Sequence, residues 1–192
     1  MYKLKFALSV AFMLIAVCTW AQPKTGDIAI GGGLNFNALV GEENYSSTRF
    51  TFNPSLGYFL TDNVMLQANM DVSASATHNG STSARFRSRN IGIGPGATYF
   101  VGSGPIQPFV SAGVSIGSYF EQSEIAGFTL DPVTGTSLGF AVSAGVAYWL
   151  VDYLAIQGTV NYSGGRLIID GTGNSTGQYV NAGVGVRWIW SR

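Results

Sequence analysis

Charge is the scarcest ingredient of this 192-residue chain. Asp, Glu, Lys and Arg make up 10% of it, against ~25% in ordinary soluble domains. Ten basic and ten acidic residues cancel to a formal net charge of zero. There is no basic excess for nucleic acid and no acidic tail for a cationic partner. Cysteine occurs once, at Cys18, and histidine once, at His78. A single cysteine excludes an intrachain disulfide framework and a cysteine metal cluster. Long apolar runs are also missing. The stretch Phe6 to Val17 is almost wholly apolar, but about 12–13 residues are too few to cross ~30 Å of hydrocarbon as an anchor helix. Lys3 and Lys5 precede it and the small Ala21 follows. Residues 1–21 therefore read as a secretory signal peptide cleaved after Ala21, leaving residues 22–192 as one domain. A lipid-modified Cys18 is the alternative, and the bulk of Val17 before it speaks against that.

What the chain does have is alternation. Across 137–163, Leu138, Phe140, Val142, Ala144, Val146, Tyr148 and Leu150 alternate with Ser137, Gly139, Ala141, Ser143, Gly145, Ala147 and Trp149. After a turn at Val151-Asp152-Tyr153 the pattern resumes, with Leu154, Ile156, Val160 and Tyr162 against Gln157, Thr159, Asn161 and Ser163. A period of two marks a strand with two unlike faces. The polar face of a soluble sheet carries many charges. Here it is small and neutral, which suits the cramped lumen of a narrow barrel. The apolar face must then look outward at lipid. Lipid demands that every backbone polar group be paired, so the strands must close.

The same pattern predicts strands at about 27–37, 48–60, 64–73, 88–100, 107–118 and 177–190, besides the two in the hairpin. Short turns fall at 61–63, 101–105 and 151–153, and long loops at 38–47, 74–87, 119–136 and 164–176. The expected fold is all-β: an eight-stranded antiparallel up-and-down transmembrane β-barrel with short periplasmic turns, long extracellular loops and both termini on the periplasmic side. Outward aromatics form two belts. Tyr58, Tyr99, Tyr148, Trp188 and Trp190 stand near the short turns; Phe36, Phe50 and Tyr162 stand near the long loops. Pro54 and Pro95 interrupt predicted strands. Each lacks an N–H donor, so each is expected at a bulge or close to a rim. The glycines at 31–33 read as lumen packing or a strand bend, since no helix follows to make a phosphate loop.

The segments NPSLGYFLTDNVMLQANM (53–70), IGPGATYF (93–100) and AYWLVDYLAIQG (147–158) resemble the small outer-membrane β-barrel proteins common in Bacteroidetes, similar in architecture to the barrel of outer membrane protein A. The resemblance covers essentially the whole mature chain. It implies a place in the bacterial outer membrane and assembly by the outer-membrane insertion machinery. Such barrels often end on an aromatic residue, whereas here Ser191 and Arg192 follow Trp190.

Little in the sequence points to chemistry. His78 lies in a polar stretch with no partner for a metal or triad, and reads as a solvated loop residue. No serine has an elbow motif. No cofactor or metal is expected. Arg85, Arg87 and Arg89 form a basic run at the long-loop rim. Guanidinium binds phosphate bidentately, so one reading is contact with lipopolysaccharide; the other is a solvated loop without a fixed partner. Asp71 and Arg187 are the clearest charges on the lumen face, and buried charges need partners. A polar network joining them through Gln67, Asn69, Gln157 and Asn161 is expected, without a direct bond between the two. The expected role is a non-enzymatic structural or surface-interaction barrel whose partners are outer-membrane lipid and lipopolysaccharide. Alternatives are a small pore or carrier for a narrow solute, a barrel enzyme acting on outer-membrane lipid, and a soluble lipocalin-like binder. The last would turn its apolar face inward.

Overall fold

The computed structural model describes residues 23–40, 45–80, 82–169 and 173–191. The stretch read as a signal peptide, with Cys18 and Ala21, lies outside them. Nine strands follow in order: β1 (Ile28–Val40), β2 (Tyr45–Phe59), β3 (Val64–Asn79), β4 (Ala84–Phe100), β5 (Ile106–Ile125), the two-residue β6 (Phe128–Thr129), β7 (Val133–Val151), β8 (Leu154–Ile169) and β9 (Gly173–Trp190). The eight long strands pair antiparallel with their sequence neighbours, β5 pairs with β7, and β1 pairs with β9. The pairing of β4 with β5 completes the ring. Each long strand is thus paired on both sides from its foot upward, though the β1–β9 ladder stops at Asn35 and Gly183.

Register determines the shape. Ile28 pairs directly with Trp190. Followed the other way round, through Tyr58, Leu66, Ala97, Ala112, Val142 and Tyr162, the same line returns at Val180. The ring thus closes with a stagger of ten residues. At ~3.3 Å per residue and ~4.8 Å between strands, that stagger tilts eight strands by about 40° to the axis.

Parity sorts the side chains as alternation predicts. From the strand feet up to Phe36, Phe50, Ala74, Ile91, Ile116, Phe140, Tyr162 and Val180, outward positions carry no charged side chain. Tyrosine and tryptophan apart, they carry none that hydrogen-bonds. Large apolar residues such as Ile30, Leu56, Ile93, Val114, Val160 and Val184 are exposed there. This is the reverse of a soluble ligand-binding barrel.

Two expectations need correction. Pro54 and Pro95 lie in mid-strand, without a bulge. Pro54 pairs with Gly32 and Pro95 with Ala68. The ladder is skipped only on the other side of each, between β2 and β3 at Pro54 and between β4 and β5 at Pro95, and the register beyond is unchanged. The missing N–H therefore costs a local ladder bond and no extra residue. Much of the predicted long loops is also strand. β3 runs on to Asn79 and β4 already begins at Ala84, and β5 continues to Ile125, where Ala126 and Gly127, both at positive φ, make a tight hairpin turn. The reason is that these extensions clear the apolar band, so their outward faces become polar and the alternation is lost in the sequence.

Candidate functional site

The lumen is built in two storeys. At the short-turn end each strand sends one or two apolar side chains inward: Ala29, Phe59, Met65, Phe100, Phe109, Ala147, Trp149, Ala155 and Ile189, all buried. Phe100 sits between Phe59, at 5.8 Å between ring centroids, and Phe109, at 5.7 Å. Trp149 is fully buried, and its Nε1–H donates to Gln107 Oε1 at 2.8 Å. Buried tryptophan needs such a partner. Alternation placed Trp149 on the inner face, but the plug as a whole escaped the sequence reading. Its signal is bulk: large apolar residues fill the inner positions at the strand feet, and small or polar residues follow directly above them.

Above the plug the lumen is polar. Asp71 Oδ2 accepts from Asn53 Nδ2 at 2.7 Å, and Asp71 Oδ1 from Asn90 Nδ2 at 3.4 Å. Asn90 Oδ1 accepts from the Ser137 hydroxyl at 2.7 Å. On the other side, Asn53 Oδ1 accepts from Asn35 Nδ2 at 3.1 Å. Asn35 Oδ1 accepts in turn from Asn161 Nδ2 at a longer 3.5 Å, and Asn161 also donates to Asn181 at 2.9 Å and Thr159 at 3.2 Å. One carboxylate, four amides and a hydroxyl are thereby strung from β7 through β4, β3, β2 and β1 to β8, with Asn181 adding β9.

This is not the network expected from the sequence. Of its proposed members, Asp71 and Asn161 are joined, through Asn53 and Asn35, and Asn90 extends the chain from Asp71 to Ser137; none of these three asparagines was among the members expected. Gln67 pairs separately with Thr98 at 3.2 Å. Asn69 leans over Gly96 and Gly113, and Gln157 over Gly185. Gln157 Oε1 is buried without a protein partner among the described residues. Arg187, 4% exposed, belongs to the plug. Its guanidinium lies over the Phe100 ring, 5.3 Å from the centroid, and its Nη1 points at Met65 Sδ at 3.6 Å. Its Nε has no partner among the described residues. The physical reason is height: Arg187 stands three positions above the foot of β9, where the lumen is filled by aromatics, and Asp71 seven above the foot of β3.

On the outer wall, Arg85, Arg87 and Arg89 all point outward from β4, so Arg85 and Arg87 stand on the strand and not in the loop expected. They face His78, Ala76 and Ala74 of β3 on one side and Glu124, Gln122 and Phe120 of β5 on the other. A tilt of about 40° lets each residue climb ~2.5 Å along the axis. Arg89, eleven positions above Phe100, stands ~28 Å above the strand feet. An apolar band is ~25 Å tall, so the row begins where that band ends. Arg89, Ile91, Phe120, Ser118, Thr134 and Thr136 line an open depression of about 590 Å³ there. Among the described residues, no three His, Cys, Asp or Glu side chains are grouped to hold a metal ion.

The comparisons agree with this architecture. The family model described as outer membrane protein beta-barrel domain matches residues 7–188. No curated protein sequence matches the chain. Among solved structures, OprG from Pseudomonas aeruginosa is similar at 14% identity and a TM-score of 0.55, over 90% of this chain and 99% of that one. A major outer membrane protein from Thermus thermophilus is similar at 10% identity and a TM-score of 0.56, over 86% and 99%. Ail, the attachment invasion locus protein of Yersinia pestis, is similar at 13% identity and a TM-score of 0.53, over 85% and 99%. At such identities these likenesses speak for the fold alone. A ring of eight strands whose exterior only hydrocarbon can wet, together with a family match along nearly all of its length, makes the chain a member of the outer membrane protein beta-barrel family, resident in the bacterial outer membrane.

Proposed function

We propose that the protein is a non-enzymatic barrel with a structural or surface-interaction role, held in the outer leaflet partly through lipopolysaccharide. In this reading the short turns and both termini lie on the periplasmic side, the hairpin extensions stand outside the cell, and the insertion machinery delivers the chain. The observation that carries the proposal is the filled lumen. An aromatic plug seals one end, and a hydrogen-bonded chain of side chains crosses the middle. Eight strands leave an interior that side chains can fill. A solute path would have to dismantle both storeys.

The arginine row supplies the contact with lipid. Alternate residues on one strand lie ~6.6 Å apart, so three guanidinium groups form a short ladder at the level of phosphorylated headgroups, each able to bind phosphate bidentately. Planar-bilayer recording of the refolded chain tests the filled lumen. The expected result is no steady conductance, and resolved single-channel openings would overturn it. Replacing Arg85, Arg87 and Arg89 together by alanine tests the lipid contact. Lipopolysaccharide affinity is expected to fall, and unchanged affinity would leave the row as merely solvated.

A further inference from the structure

On a different part of the outer wall, strands β7, β8 and β9 flank a second shallow, open depression, of about 630 Å³, at the same level. Two register rows bound it. The upper row is Leu138, Arg166 and Thr176; the lower is Phe140, Gly164 and Gln178. Gly164 matters because it leaves no side chain in mid-row. A Cβ there would come within 2.8–2.9 Å of the Phe140 ring and 3.1 Å of Gln178 Cγ. The two neighbours have closed over the glycine and form the floor. That floor is braced from below: Phe140 and Tyr162 rings lie 6.0 Å apart, and the Tyr162 hydroxyl donates to Gln178 Oε1 at 2.7 Å. Arg166 stands above, twelve positions from the foot of β8, ~30 Å up the axis. Below it the outward face of these strands has no charge at all.

We propose that this notch seats one lipopolysaccharide molecule through its lipid A. Arg166 takes a phosphate, with the Thr176 hydroxyl and Gln178 amide beside it, and an acyl chain lies against Leu138 and Phe140. Charge complementarity and height choose the occupant: a lone cation at the edge of a charge-free hydrocarbon wall suits an anionic group attached to an acyl chain. The first depression has related parts, with Arg89 above Ile91, Phe120 beside Arg89, and hydroxyls alongside. The inference rests on the orientation proposed above, which puts this end of the barrel in the lipopolysaccharide leaflet.

The test is native mass spectrometry of the refolded protein titrated with lipid A in detergent. Wild type is expected to retain one more lipid A than Arg166→Gln, with that site's affinity ~10-fold weaker in the variant. Gly164→Ala, which drives the Phe140 ring off the floor, is expected to weaken the same site with Arg166 intact. Heat-resistant gel migration verifies that each variant is folded. Unchanged retention by Arg166→Gln, while the Arg85/Arg87/Arg89 variant loses lipid A, overturns the notch alone. The reverse pattern supports the notch and overturns the arginine row. Equal retention of phosphatidylglycerol overturns the choice of lipid A. No retention by wild type overturns both the notch and the row.

Discussion

The foot and the middle of the lumen are made by the same strands, with the same alternation, and they are chemically opposite. At the foot, Phe59, Phe100, Phe109 and Trp149 exclude water much as a protein core does. In the middle, Asn35, Asn53, Asp71, Asn90 and Asn161 satisfy one another. The difference teaches that parity decides which side of the wall a residue occupies, while height decides what it must do there. A foot in contact with water at the turns needs an apolar seal. A mid-lumen carboxylate needs donors from several strands.

The comparison can be broken most strongly at the foot. Trp149→Ala should cost ~3–5 kcal/mol, the range for removing a large buried aromatic. It also strands Gln107 Oε1. Urea unfolding in lipid vesicles measures this, and a loss below ~1 kcal/mol would show that the foot does not behave as a packed core. In the middle, Asp71→Leu should cost ~2–3 kcal/mol, because the Asn53 and Asn90 amides lose a charged acceptor. Asp71→Asn, which keeps an acceptor oxygen, should cost less than half of that in the same assay.

Arg187 sharpens the contrast, since it is a charge lodged in the apolar storey. Replacing a buried charge that lacks a good partner by an apolar side chain is often neutral or stabilising. Arg187→Met should therefore leave the urea midpoint unchanged or raise it. A loss as large as that of Asp71→Leu would tie Arg187 to the polar storey after all.

The smallest effect lies at the outer edge of the foot. The Thr25 backbone N–H and hydroxyl both donate to Asp62 Oδ1, at 2.8 and 2.9 Å, and hold its carboxyl below the usual value of 3.8. A depressed carboxyl favours the docked state above its unfolded value and loses that preference as pH falls through the folded one. Exchange of the Thr25 amide should accelerate below about pH 4 relative to its intrinsic rate. Asp62→Asn should abolish the pH step.

Much of this was legible without coordinates. Period-two patterning located all eight long strands, assigned Trp188 and Trp190 to the outside and Asp71 to the inside, and implied lipid from the lack of charge. Arg166 was hidden because residues 164–176 read as a loop. Outside the bilayer a strand needs no apolar face, so its sequence loses the signature of a strand. Pro54 and Pro95 misled for a related reason: a one-sided gap in a ladder leaves no trace in the pattern.

Alternation by itself determined the side of the wall on which each residue sits and the solvent that wets that side, since a strand has only two faces. The tertiary structure decided which residues share a level. Sliding a strand by two residues preserves every inside and outside assignment, so no pattern within a strand can report its stagger. Register within the hairpins brings Asn35 to Asn53 and stands Arg166 over Phe140, and closure of the ring, with its offset of ten residues, brings Asn35 to Asn161 and sets Arg187 among the rings of the plug.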